Sequence, residues 1–185
     1  MPIKLNGTTF NNGGSCTFNG STVKEIKFGT TTVWKAETVL WSGSAYASGY
    51  TPTYTNGYSK GTDYGDFYVQ TGYGSFNNYK TWCSVVVPFN ASNFSSITIN
   101  WTDYCKMYSI DKIGVFSAVP TSSSNSLLYT CRATDGNVDD SSAQSGSNTF
   151  DISSRTGTLY VGIYMYNSQD RHNPPKATIT KVTLT

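Results

Sequence analysis

The first 33 residues repeat one short pattern three times, and the pattern dictates a local shape. Lys4-Leu5-Asn6-Gly7-Thr8-Thr9-Phe10 is echoed by Thr17-Phe18-Asn19-Gly20-Ser21-Thr22-Val23. A third copy, Lys27-Phe28-Gly29-Thr30-Thr31-Thr32-Val33, has lost the Asn. Each unit is an apolar residue, a tight-turn signal, two hydroxyl residues and another apolar residue. Asn-Gly supplies the positive φ angles of a two-residue hairpin turn, so the first two copies read as hairpin tips. Hairpins this small bury no core of their own. Residues 1–36 are therefore expected to form an attachment module that needs a docking surface.

The remainder of the chain favours strands. Charged residues make up 13% of the sequence, against about 25% in an ordinary soluble domain, and aromatics reach 15%. Lys, Glu and Leu, the common helix formers, are scarce, while β-branched and aromatic residues dominate the apolar set. Net charge is +2 with no basic stripe, which excludes the electrostatic footprint of a nucleic-acid binder. No apolar run reaches the length of a membrane-spanning helix. Met1-Pro2-Ile3-Lys4-Leu5 lacks the charged and apolar regions of a signal peptide, so no export is expected. Cys16, Cys83, Cys105 and Cys131 have no metal-ligand spacing, and without an export signal all four are expected to be reduced.

Residues 37–185 read as one antiparallel β-sandwich of roughly eight or nine strands. Thr38–Trp41 opens it, and Phe67–Gln70 is strand-like. Trp82–Phe89 is apolar on both faces. Ser96–Trp101 alternates, with Ile97, Ile99 and Trp101 on one face. Lys112–Ser117, Ser126–Cys131 and Thr149–Ile152 follow, with a polar Ser-rich loop expected from Arg132 to Asn148. Thr158–Tyr166 alternates most clearly: Leu159, Val161, Ile163 and Met165 face inward, and Tyr160, Gly162, Tyr164 and Tyr166 face the other way. The last strand, Ala177–Leu184, changes face between Ile179 and Val182, which predicts a bulge near Thr180-Lys181.

Two resemblances follow from these residues. From Trp82 onward, the strand order, Asp151-Ile152-Ser153-Ser154 leading into Thr158-Leu159-Tyr160-Val161-Gly162, and the final Thr178-Ile179-Thr180-Lys181-Val182 resemble carbohydrate-binding-module-like jelly rolls. Val23-Lys24-Glu25-Ile26-Lys27-Phe28-Gly29-Thr30-Thr31-Thr32-Val33-Trp34 looks like segments at the front of tailed-phage and prophage structural proteins. There, a strand and a Gly-Ser/Thr turn precede Val-Trp. Together these resemblances imply a virion structural protein, a homo-oligomer joined to other virion proteins through residues 1–36 and assembled in the host cytoplasm. Its sandwich would decorate the particle or adhere to host-surface glycans. The alternative is a secreted carbohydrate-binding module of a glycan-degrading system, which predicts disulfides.

Candidate chemistry is sparse. The single histidine, His172, lies beside Pro174-Pro175 in an expected loop, and Glu25 and Glu37 are the only glutamates. Neither supplies the opposed carboxylates or the base–nucleophile pair that hydrolysis requires, so no enzyme and no cofactor is expected. Asp135-Gly136-Asn137-Val138-Asp139-Asp140 clusters hard oxygen ligands, but lacks the pattern of a helix–loop–helix calcium loop and reads as a solvated acidic turn. The sharper signal is a tract in which Tyr46, Tyr50, Tyr54, Tyr58, Tyr64, Tyr68, Tyr73 and Tyr79 recur among Gly, Ser, Thr and Asn. Tyrosine offers stiff amphipathic contact area and small polar residues adapt around it, the composition of recognition loops. Tyr54, Tyr58 and Tyr73 adjoin turn signals and are the candidate ligand-binding residues, expected at loop tips.

Overall fold

A computed structural model describes the backbone of residues 3–5, 8–10, 16–18, 21–23, 25–56, 63–65, 67–70, 81–121, 126–167 and 175–185. Side chains are described within 25–31, 36–55, 67–70, 82–121, 126–167 and 175–185. Three two-stranded antiparallel sheets come first: β1 (Ile3–Leu5) with β2 (Thr8–Phe10), β3 (Cys16–Phe18) with β4 (Ser21–Val23), and β5 (Glu25–Phe28) with β6 (Thr31–Lys35). Their registers, Leu5 opposite Thr8, Phe18 opposite Ser21 and Phe28 opposite Thr31, match the hairpins that the repeats predict. In the third, Gly29 has φ +64°, whereas Thr30 is not left-handed. A Gly-first turn thus replaces Asn-Gly.

The strands that follow are β7 (Thr38–Trp41), β8 (Thr53–Asn56), β9 (Asp63–Gly65), β10 (Tyr68–Gln70), β11 (Thr81–Asn90), β12 (Ser96–Tyr104), β13 (Ser109–Phe116), β14 (Leu127–Ala133), β15 (Gln144–Asp151), β16 (Thr158–Asn167) and β17 (Lys176–Leu184). The one helical element among the described residues is a 3-10 turn, Ala91–Asn93. A six-stranded sheet runs β15-β12-β17-β10-β9, with β7 on the far half of the β17 edge that β10 occupies. A five-stranded sheet runs β14-β13-β16-β11-β8. All the pairings are antiparallel. The order β10-β17-β12-β15 opposite β11-β16-β13-β14, with the chain crossing between sheets except at β13–β14, is a jelly roll.

The core lies between the sheets. β12 alternates strictly, burying Ile97, Ile99 and Trp101, and β16 buries Leu159, Val161, Ile163 and Met165. From the other strands come Leu40, Trp41, Val69, Val85, Val87, Ile113, Ile179, Val182 and Leu184. The expected face switch in the last strand is present: Asn100 pairs with Lys181 and Trp101 with Ile179, leaving Thr180 as the extra residue. The Trp41 indole donates to the Ile179 carbonyl at 2.9 Å beside this bulge.

Three expectations need correction. The sandwich also contains β8 and β9, which a polar composition hides. The loop expected from Arg132 to Asn148 is strand at both ends, because β14 continues through Ala133 and β15 begins at Gln144. The inward positions of early β15 are Gly146 and Asn148 rather than apolar residues. Trp101 lies against Gly146, where an added Cβ would come within 2.7 Å of the ring, and its indole donates to Asn148 Oδ1 at 2.8 Å. One large side chain from β12 supplies what two apolar residues on β15 would otherwise contribute. Finally, β13 starts at Ser109, earlier than the apolar run suggests, because its first inward residues are the buried Ser109 and Asp111.

Candidate functional site

The tyrosine tract divides. Tyr46 packs inward, its ring 4.5 Å from Trp41 and 5.5 Å from Phe67, and Tyr50 packs against the same core. Tyr68 is half-buried on β10, with the Lys176 ammonium 4.9 Å from its ring centroid. Tyr58 and Tyr73 lie outside the described residues, as does His172. Tyr54 is not at a loop tip. It sits within the edge strand β8, opposite Val85 of β11, because Thr53–Asn56 finds an open β11 edge on which to pair. Tyr54 as a residue is 37% exposed, on the inward parity of Val85 at the open edge of the sheet.

A second aromatic group occupies the outer face of the five-stranded sheet. Register places Trp82 beside Tyr166, Ser84 beside Tyr164, Val86 beside Gly162 and Pro88 beside Tyr160. Gly162 in turn lies opposite Gly114, so between the Tyr164 and Tyr160 rows Val86 is flanked by glycines and its side chain fills the space over Gly162. Val86, Phe116 and Tyr164 are buried there, and Trp82, Tyr160, Tyr166, Val119 and Leu127 pack around them half-buried or at the rim. Trp82 and Tyr164 stack at 6.3 Å between centroids and 26° between planes. The loop after β13 reaches over part of this face: Ser84 Oγ donates to the Pro120 carbonyl at 3.3 Å, and the Ser84 and Thr55 hydroxyls are in contact. The outward tyrosines of β16 are legible in its alternation, but their clustering with Trp82 depends on the register between β11 and β16.

Titratable groups concentrate at the other end of β12. Arg132 on β14 donates through Nε to Asp103 Oδ2 at 3.1 Å and through Nη2 to both oxygens of Asp140, at 3.1 and 3.0 Å. Asp140 also accepts the Cys105 backbone N–H at 2.9 Å, and Lys106 Nζ binds Asp139 at 2.9 Å and the Asp140 carbonyl at 2.7 Å. The Asp135–Asp140 stretch is therefore not simply a solvated turn. Asp139 and Asp140 are tied by ion pairs, while Asp135 stays exposed and caps the Asn137 N–H. Asp103 and Asp111 are buried with no exposed side-chain surface, so a substrate has no approach to them without opening the sandwich.

The thiols are of the inert type. Cys83, Cys105 and Cys131 are free, and burial pushes Cys105 and Cys131 up to about 12 and Cys83 higher still. A thiolate is the reactive species, so these groups lack nucleophilic character at neutral pH. Among the described residues, no set of His, Cys, Asp and Glu has the geometry of a metal site, and no helix is long and apolar enough to cross a membrane. No family model matches the chain, and no curated protein matches it.

Proposed function

We propose that this chain is a non-enzymatic structural protein of a tailed-phage or prophage particle. It joins other virion proteins, and copies of itself, through residues 1–36, and displays a jelly roll that adheres to host-surface glycans. The observation that carries this reading is the isolation of the hairpins. Among the described residues each forms a sheet with itself alone, and in β5–β6 Phe28 is 83% exposed beside the turn. Ordering backbone costs about 1–2 kcal/mol per residue, which a two-stranded hairpin with an exposed aromatic does not recover in water. A partner that covers Phe28 supplies the missing burial. For glycan contact the half-buried rings of Trp82, Tyr160 and Tyr166 offer flat apolar faces with hydroxyl and indole edges, and Tyr54 adds a separate ring at the sheet edge.

The test is deletion of residues 1–36. The truncated sandwich should melt as the full chain does, yet fail to enter its particle or oligomer. A truncated chain that unfolds would make the hairpins part of the sandwich and end the two-module reading. Glycan-array binding by the full chain, lost on Tyr166→Ala with the melting temperature kept, would place the contact on the sheet face; loss on Tyr54→Ala would move it to the edge.

The second reading is a secreted carbohydrate-binding module. It predicts disulfides, whereas Cys83, Cys105 and Cys131 are free thiols. Titration of the unfolded, unreduced protein should count four thiols; two or none would favour the second reading.

A further inference from the structure

The ion pairs around Arg132 leave two carboxyl groups imperfectly served. Asp103 comes from β12 in the six-stranded sheet, where it pairs with Gln144 and Ala177, and Asp111 comes from β13 in the five-stranded sheet, opposite Met165. Both are buried, Asp111 completely. Neither oxygen of Asp111, nor Oδ1 of Asp103, meets an N–H or hydroxyl donor. They face each other and the Cys105 thiol, a weak donor. Two ionised carboxylates are acceptors only, so the three unserved oxygens could not hydrogen-bond one another. Arg132, which reaches only Asp103 Oδ2 and is shared with Asp140, would leave one buried negative charge unbalanced. We infer that Asp103 and Asp111 share one proton in the folded state, carried on Asp111 and donated to Asp103, and that this proton fastens the two sheets together at the β12–β13 end.

The surrounding charges fit one proton rather than none. On β14, Arg132 is the cation in reach, and it is divided between Asp103 and Asp140 of the following loop. Lys106, beyond β12, is taken by Asp139 and the Asp140 carbonyl. From β17, Lys176 lies over the Tyr68 ring. β11 contributes the neutral Cys83 thiol, and Cys105, Ser109 and Thr134 are neutral as well, the last donating to the Ser109 carbonyl and accepting the Asp111 N–H. Asp103 keeps the negative charge because Arg132 bonds it directly, and Asp111 takes the proton because burial and the Asp103 charge both oppose its ionisation.

The sign of the pH response follows. A carboxyl whose folded pKa lies above its unfolded value holds a proton that the unfolded chain releases. Its contribution is complete below the unfolded value, about 3.9 for Asp, and is lost as pH rises through the folded value. The pair therefore loosens toward alkaline pH, opposite to the response of ordinary salt-bridged carboxylates.

Equilibrium unfolding of the full chain across a pH series tests this, together with the infrared carbonyl band of a protonated carboxylic acid. In the wild type the unfolding constant should climb with pH above the ordinary carboxylate range, by up to about tenfold per pH unit for one proton. The infrared band should be present at neutral pH. Asp111→Asn donates to Asp103 without a titrating proton, so it should flatten the slope and abolish the band. A wild type with no such band at neutral pH overturns the proposal, even if the variant fails to fold. So does a slope that Asp111→Asn leaves unchanged. Stabilisation by calcium or magnesium in the wild type but not in Asp111→Asn also overturns it, since a cation would then hold the place given to the proton.

Discussion

The N-terminal hairpins and the strands of the jelly roll are written in nearly the same residues: Thr, Ser and Asn with an apolar residue at intervals. They differ in what lies on the second face. On β12 every second side chain is buried, whereas three of the four β5 side chains are exposed and the fourth is half-buried. β-alternation makes a pleated ribbon in both regions, but only a second sheet turns one face of it into a core. β5, the hairpin strand whose side chains are described, thus gains surface, while a strand added to the sandwich gains interior. Surface without interior suits a segment whose stability belongs to an assembly.

The contrast breaks most readily at Ile163, buried at the centre of β16 between β11 and β13. Ile163→Ala should cost about 2–5 kcal/mol in chemical denaturation. A cost below about 0.5 kcal/mol would mean that β16 is a surface strand. Next come two identical substitutions, one in each region. A Cβ at Gly162 would lie 2.2 Å from the Val85 carbonyl oxygen and 2.7 Å from Val86 Cα, both backbone atoms that cannot swing aside. Gly162→Ala should destabilise by about 3 kcal/mol. A Cβ at Gly29 meets nothing, and only its positive φ resists. Gly29→Ala should cost the hairpin about 1 kcal/mol and leave the melting of the sandwich unchanged. Asn148→Ala, which removes the acceptor of the Trp101 indole, should cost about 1–2 kcal/mol. The smallest effect on stability is expected at Phe28: Phe28→Ala should shift unfolding by less than about 0.5 kcal/mol while weakening assembly, measured by sedimentation of the native particle or oligomer. A large loss of stability there would show that the sandwich itself covers Phe28.

How far the sequence could be read depended on whether a strand carries its own apolar residues. β12 and β16 do, and their inward sets, Ile97, Ile99 and Trp101 with Leu159, Val161 and Ile163, are legible directly. The Thr180 bulge was legible for the same reason, since an apolar residue on the wrong parity has to be corrected by an extra one. Early β15 was not, because its interior is filled by Trp101 from the neighbouring strand. Early β13 was not, because Ser109 and Asp111 are polar yet buried. Among candidate sites, the outward tyrosines of β16 could be read from parity, but the stack of Tyr164 on Trp82 required knowing that β11 pairs with β16. The Asp103–Asp111 pair was beyond reach as a pair: parity turns Asp103 inward in step with Trp101 and Asp111 in step with Ile113, but the two lie in different sheets, and their meeting depends on how the sheets pack.

The bulge at Thr180 has a further consequence, one of timing. By turning β17 partway along, it lets a single strand edge receive β10 over Lys176–Thr178 and β7 over Val182–Leu184. β7 and β10 reach β12 and β15 only through β17, which follows all four in the chain. During synthesis the six-stranded sheet therefore stays in unjoined pieces until β17 leaves the ribosome, while β11, β13, β14 and β16 of the facing sheet can already be complete. Closure of the fold then becomes a late, non-local event, the kind that makes folding slow and leaves strand edges open for longest.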